Sequence, residues 1–184
     1  LVDKEMLDLM HRAGCYQLSF GFESCSQKSL DFNNKGISLA QSKEASRLAR
    51  QAGIEVVGLF LYGMPGETKE TMDKLVRFSL DLKVDYANFE TIYFMPGSPV
   101  YEKMIKSGQV EIFSREVLRK YVSCAYMKFY LRPAFIYKNL IKMLKNGSFF
   151  RPGVTLKVIR GALLFFMSLD FSPFGMFSKK KESR

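Results

Sequence analysis

Three short loops follow apolar runs in the first hundred residues, and each carries groups suited to binding chemistry. They are Gly21-Phe22-Glu23-Ser24, Gly63-Met64-Pro65-Gly66-Glu67-Thr68 and Met95-Pro96-Gly97-Ser98-Pro99. If the three runs are parallel strands, their carboxyl ends share one face, where ligands of such folds bind. That face then holds two carboxylates, several hydroxyls, and glycines that let a ligand approach the backbone. A carboxylate there accepts from ribose hydroxyls or from an ammonium group. Each residue also has an ordinary structural explanation. Glu67, in the first turn of a helix, complements the helix dipole. Phe60, Leu61 and Tyr62 read as core, and Lys35 in Asn34-Lys35-Gly36 as a solvated loop lysine. Metal chemistry has little support: His11 is the single histidine, and Cys15, Cys25 and Cys124 form neither CxxC nor CxxxCxxC. Their scatter also excludes a disulfide framework and points to a reducing, cytoplasmic compartment.

The elements that must position these loops repeat. The central stretch, Gly58 to Thr68, reads as a strand running into a glycine-rich turn and then a helix. Its near-continuous apolar run predicts a strand buried on both faces. Asp3 to Ala13 has helical spacing and stops at Gly14, with a strand over Tyr16 to Phe22. Ser38 is a good N-cap for a helix that stops at Gly53, with a strand from Ile54 to Tyr62. A third helix spans Lys69 to Leu82, with a strand from Asp85 to Phe94. This alternation argues for parallel strands joined by right-handed crossovers. Three units do not close an eight-stranded barrel; they suit the second half of a partial barrel, with an open doubly wound sheet as the other architecture.

After Pro99 the pattern becomes helical: Val100 to Ser107, Ser114 to Leu131, Ala134 to Lys145 and Arg151 to Leu169. The sequence thus divides into an α/β domain over 1–105 and a basic helical extension over 106–184. The net charge of +10 is lodged in the extension. Residues 1–100 carry 11 Lys and Arg against 13 Asp and Glu, and residues 101–184 carry 17 against 5. Such asymmetry suggests an anionic partner for the tail, and Phe149, Phe150, Phe165, Phe166, Phe171, Phe174 and Phe177 among its basic residues suit peripheral contact with a membrane surface. Its longest uncharged run, Gly161 to Leu169, falls far short of the ~20 residues needed to span a bilayer. No nucleic-acid motif is present, so specific nucleic-acid binding is not expected. The chain opens at Leu1, in what reads as the middle of a helix, which suggests a piece of a longer protein.

Taken in order, Phe20-Gly21-Phe22-Glu23-Ser24, Leu30 to Ser38, Ala52-Gly53-Ile54, Gly63 to Thr68 and Pro96 to Glu102 resemble the radical S-adenosylmethionine (SAM) superfamily. The resemblance is to the branch that usually carries a cobalamin-binding domain. It covers roughly residues 1 to 105, and Phe129 to Pro133 resembles that branch's tail. It implies an α/β fold: the carboxyl-terminal half of a partial (β/α)6 TIM-like barrel followed by an α-helical tail. The implied cofactors are S-adenosylmethionine, a 4Fe-4S cluster held upstream of this chain, and, for the cobalamin branch, cobalamin. The implied activity is reductive cleavage of SAM, as in a cobalamin-dependent methyltransferase or related radical enzyme. By position, Glu23 and Ser24 would lie near the SAM ribose or methionine moiety, Lys35 near its carboxylate, and Leu61, Gly63 and Glu67 along adenine. A small-molecule or lipid-like substrate and an electron donor such as flavodoxin or ferredoxin follow from the same resemblance. Cys25 departs from it, standing where the family usually has glycine.

Two other readings fit the residues. One is a non-catalytic α/β scaffold whose basic tail binds a membrane surface or another anionic partner. The other is an ordinary barrel enzyme with Glu23 and Glu67 as an acid/base pair.

Overall fold

The computed structural model describes residues 2–93, 95–107 and 113–145. Two compact units divide between Arg132 and Pro133. The first runs α1 (Lys4–Arg12), β1 (Gln17–Glu23), α2 (Gln27–Phe32), α3 (Leu39–Gln51), β2 (Glu55–Tyr62), α4 (Lys69–Asp81), β3 (Tyr86–Thr91), α5 (Pro99–Ser107) and α6 (Arg115–Tyr130). The second contains α7 (Pro133–Lys145). The division places α6 in the first unit, beyond the 1–105 boundary expected from the sequence. The helical candidate over 151–169 and the phenylalanine-rich tail lie outside the described residues.

The long crossover helices start where the sequence supplies a cap. Asp3 accepts from the Met6 N–H, Ser38 from that of Gln41 and Thr68 from that of Thr71. Ser38–Gln41 and Thr68–Thr71 are reciprocal, so each satisfies a second free donor at its helix start. One helix is absent from the sequence reading. α2 forms between β1 and α3, where Ser26 caps the Ser29 N–H and Leu30 is buried beneath it. Six residues are too few to show a helical period.

The strands form one parallel sheet in the order β1-β2-β3. Helices clothe one face of it. There Phe22, Phe60 and Phe89, one from each strand, make a row of rings with centroids 5.9 and 5.4 Å apart. Phe78 of α4 and Phe129 of α6 meet that row edge-on. The expectation that β2 is buried on both faces is corrected here. Val56, Phe60 and Tyr62 are fully buried, whereas Leu59 on the other face is 36% exposed. No described element covers that second face, so its apolar residues stand open.

α6 also closes the outer edge of β3. The Tyr130 hydroxyl accepts from the Ala87 N–H at 3.1 Å and donates to the Ala87 carbonyl at 2.7 Å. The Tyr126 hydroxyl accepts from the Phe89 N–H at 3.2 Å. Two phenols thus take the place of a neighbouring strand and cover an edge that would otherwise invite pairing. The opposite edge, on β1, has no strand partner among the described residues.

Gly58 makes room for the aromatic row. A Cβ there would sit 2.6 Å from Cε2 of Phe60 and 3.1 Å from Cγ1 of Val84. Gly58→Ala is therefore expected to destabilise the chain by about 1 to 3 kcal/mol. Urea denaturation should show a lower midpoint with an unchanged slope; an unshifted midpoint would show that the rings accommodate the methyl.

Candidate functional site

The open face is assembled from the ends of the three strands, beginning with β1. Its register runs Gly21 opposite Leu59 and then Glu23 opposite Phe60, so Phe22 is an extra residue in a bulge. Bulges re-aim the side chains that follow them. Glu23 has φ of +62°, a conformation that non-glycine residues adopt rarely and at a cost of about 1 to 3 kcal/mol. The strain folds its side chain back over Gly21, where a Cβ would lie 2.6 Å from Glu23 Oε1. In that position Oε1 receives the Lys35 ammonium at 2.7 Å. α2 and the turn after it deliver the lysine, held by the Lys35 N–H donating to the Leu30 carbonyl. A cavity of about 280 Å³ adjoins the pair, lined by Phe20, Gly21, Phe22, Lys35, Ile37 and Ala45.

Glu67 and Ser24 occupy a different environment. Glu67 is 5% exposed and Ser24 fully buried. Glu67 Oε1 accepts from the Ser24 hydroxyl at 2.6 Å, and Oε2 accepts from the Gly63 and Met64 N–H groups at 3.0 and 3.2 Å. The carboxylate therefore ties the loop after β1 to the loop after β2. Burial pushes its pKa up, against the opposing pull of the Ser24, Gly63 and Met64 hydrogen bonds. Of the six residues singled out in the sequence, Glu23, Lys35 and Leu61 gather on the open face. Ser24, Gly63 and Glu67 form an anchor inside the loops, an arrangement that separates Glu67 from Glu23 in chemical role.

The third strand adds residues that the sequence reading missed. Asn88 Nδ2 donates to Glu90 Oε1 at 2.7 Å, and the Tyr126 hydroxyl donates to Asn88 Oδ1. The signal was present in Ala87-Asn88-Phe89-Glu90. Ala87 and Phe89 are buried under the helices, so Asn88 and Glu90 alternate onto the open face.

No group of three or more His, Cys, Asp or Glu among the described residues has the arrangement of a metal site. Cys25 donates to the Thr71 carbonyl at 3.2 Å, and burial raises its pKa to about 11. Its thiol is thus kept protonated and inert.

Removing the Glu67 carboxylate is expected to expose its anchoring role. Glu67→Ala leaves two loop N–H groups and the Ser24 hydroxyl without their acceptor, costing about 2 to 3 kcal/mol. Glu67→Gln keeps the shape and should cost less. Because the folded pKa is raised, the native state binds more protons than the unfolded chain between the ordinary glutamate pKa of about 4.3 and the folded value. Wild-type stability should fall relative to Glu67→Gln as pH rises through that window. A parallel pair of stability profiles would contradict the assignment.

Comparison with known proteins agrees with this geometry. Residues 1–79 match the model of the radical SAM superfamily. An uncharacterised methyltransferase of Pyrococcus horikoshii is 29% identical over 157 residues, which covers 76% of this chain and 34% of that protein. The anaerobic magnesium-protoporphyrin IX monomethyl ester cyclase of Cereibacter sphaeroides is 37% identical, over 60% of this chain and 18% of its own. Among solved structures, the radical S-adenosylmethionine methyltransferase TsrM from Kitasatospora setae, with cobalamin and a 4Fe-4S cluster bound, has a TM-score of 0.51 at 26% identity, covering 58% of this chain and 21% of that one. The chain thus spans about a third or less of the length of these relatives. With its parallel strands, its crossover helices and these relatives, the chain is similar to the radical SAM superfamily over residues 1–79, and one of its structural neighbours binds cobalamin.

Proposed function

We propose that this chain supplies the part of a radical SAM enzyme that holds the nucleoside and carboxylate ends of SAM. The supporting observation is Glu23: a strained carboxylate folded over a glycine, paired with Lys35, on the sheet face that no described element covers. Strain at a polar residue beside a bulge is a mark of function rather than of packing. Lys35 Nζ keeps donors for the SAM carboxylate after contacting Glu23, since an ammonium has three. Glu23 keeps a second oxygen for the ribose hydroxyls. Leu61, on the same face of β2, offers an apolar surface to adenine. Ser24, Gly63 and Glu67 act indirectly in this proposal, by fixing the loops from which Glu23 and Leu61 project.

A reduced 4Fe-4S cluster would supply the electron that cleaves SAM in the complete enzyme. Cys15, Cys25 and Cys124 do not fit the ligand set of such a cluster, so its ligation is assigned to polypeptide outside residues 1–184. Methyl transfer to a small molecule or lipid-like substrate, with cobalamin as intermediate carrier, is the activity best supported by the relatives named as methyltransferases. A flavodoxin or ferredoxin as electron donor and a cytoplasmic setting complete the proposal.

The test is made on the full-length protein after reconstitution with iron and sulfide. Reduction in the presence of SAM is expected to yield 5′-deoxyadenosine or methyl transfer, and Glu23→Gln to weaken SAM binding by roughly tenfold (a hydrogen bond to a charged group). Absence of SAM binding to the wild type would overturn the proposal; unaltered affinity in Glu23→Gln would remove Glu23 from it.

A second reading, surface attachment to a membrane, draws on α7. Ile136, Tyr137, Leu140 and Leu144 are between 44% and 67% exposed there, in a helix that also carries Lys138, Lys142 and Lys145. No described helix is long and apolar enough to cross a membrane. Full-length protein is expected to sediment with anionic vesicles at low salt and to be released as salt is raised. Failure to co-sediment at low salt would exclude this attachment.

A further inference from the structure

A second cavity lies on the helix-covered side of the sheet, away from the open face, and the SAM reading gives it no task. It has a volume of about 230 Å³ and sits between α4 and α6, with Tyr62 of β2 at its base. The sequence explains why the helices leave this gap. Cys124 and Ala125 of α6 are short side chains, and they stand across the cavity from Met72 and Val76 of α4. A spacing of four residues also sets Lys120, Cys124 and Lys128 in one line along α6.

The base of the cavity offers a hydrogen bond that the protein does not use. Tyr62 is 1% exposed, yet its hydroxyl has no hydrogen-bond partner among the described residues. No fully enclosed side-chain oxygen or nitrogen among them lacks a partner, so the Tyr62 oxygen opens into the cavity. A buried phenol ordinarily finds a partner, and this one is left to find it in a guest molecule. Burial, with Cys124 and Glu67 nearby, holds the phenol well above its ordinary pKa, so it stays a donor. The Tyr62 and Tyr121 rings, with centroids 5.5 Å apart, add an aromatic wall.

The rim is polarised from one helix to the other. Asp73 stands on the α4 side, beside the Tyr121 hydroxyl. On the α6 side Lys120 pairs with Glu116 at 2.7 Å, whereas Lys128 has no ion pair among the described residues. Lys128 is one helical turn, about 6 Å, beyond Cys124. That separation is comparable to the span of a benzene ring with substituents at opposite ends.

We propose that this cavity binds a small aryl carboxylate, one ring in size, whose carboxylate meets Lys128 and whose opposite end accepts a hydrogen bond from the Tyr62 hydroxyl. The aromatic wall suits a planar ring, and repulsion from Asp73 turns the carboxylate toward α6. The site is separate from the Glu23–Lys35 pair and does not depend on the SAM reading.

4-Acetylbenzoate tests it, because its ketone and its carboxylate lie at opposite ends of one ring. Titration into the full-length protein is expected to show saturable binding in the millimolar range or tighter. Bound ligand should slow alkylation of Cys124 by iodoacetamide, followed by peptide mass mapping, and leave Cys15 unaffected. Tyr62→Phe should weaken binding by about three- to tenfold and abolish the advantage over 4-ethylbenzoate, which lacks the ketone. Lys128→Gln, an exposed substitution that leaves the core intact, should weaken it by a similar factor at low salt. Absence of saturable binding, or binding that leaves Cys124 alkylation unchanged, overturns the proposal. Unchanged affinity in either variant overturns it too, even where Cys124 is protected.

Discussion

The fold depends on a sheet that the described helices pack from one side. Phe22, Phe60 and Phe89 run across all three strands beneath the helices, and Gly58 leaves the space that the Phe60 ring fills. With the strands fixed by that row, alternation sends the remaining residues to the other face. Leu59, Leu61, Asn88 and Glu90 are therefore presented together, in register, and the bulge in β1 adds Glu23 beside them, with no described element over the group. The rigidity of one face is what gives the other a defined pattern of charge and apolar surface.

Two carboxylates at strand ends have opposite fates on this scaffold. Glu23 is turned outward by a bulge and a positive φ, and it meets a lysine. Glu67 is turned inward and satisfies three donors from two loops. An acid/base pair between them has no support in this geometry, since Glu67 has both oxygens engaged beneath the surface. The loops instead divide the work, with the inner carboxylate holding the shape on which the outer one depends.

Much of this was legible in the sequence. The helix cap at Ser38, the strand runs and the Ala-Gly helix stops gave the order of elements, because each follows from local chemistry, whereas the cap at Thr68 came from the structure. The motif Gly63 to Thr68 located the loop but not the direction of Glu67, which depends on Ser24, 43 residues away. α2 was hidden by its length. The exposure of Leu59 was hidden by composition, since an apolar run reads as doubly buried whether or not both faces are covered. Asn88 and Glu90 needed the partner strand and the Tyr126 hydroxyl before their common face was apparent.

The central claim is that the uncovered sheet face receives the nucleoside of SAM. A crystal structure of the full-length protein with SAM bound tests it most directly. The account predicts the ribose at Glu23, the SAM carboxylate at Lys35 and the adenine ring against Leu61. SAM seated elsewhere, with the Glu23–Lys35 pair intact and the Leu59–Leu61 strip covered by protein alone, would contradict it.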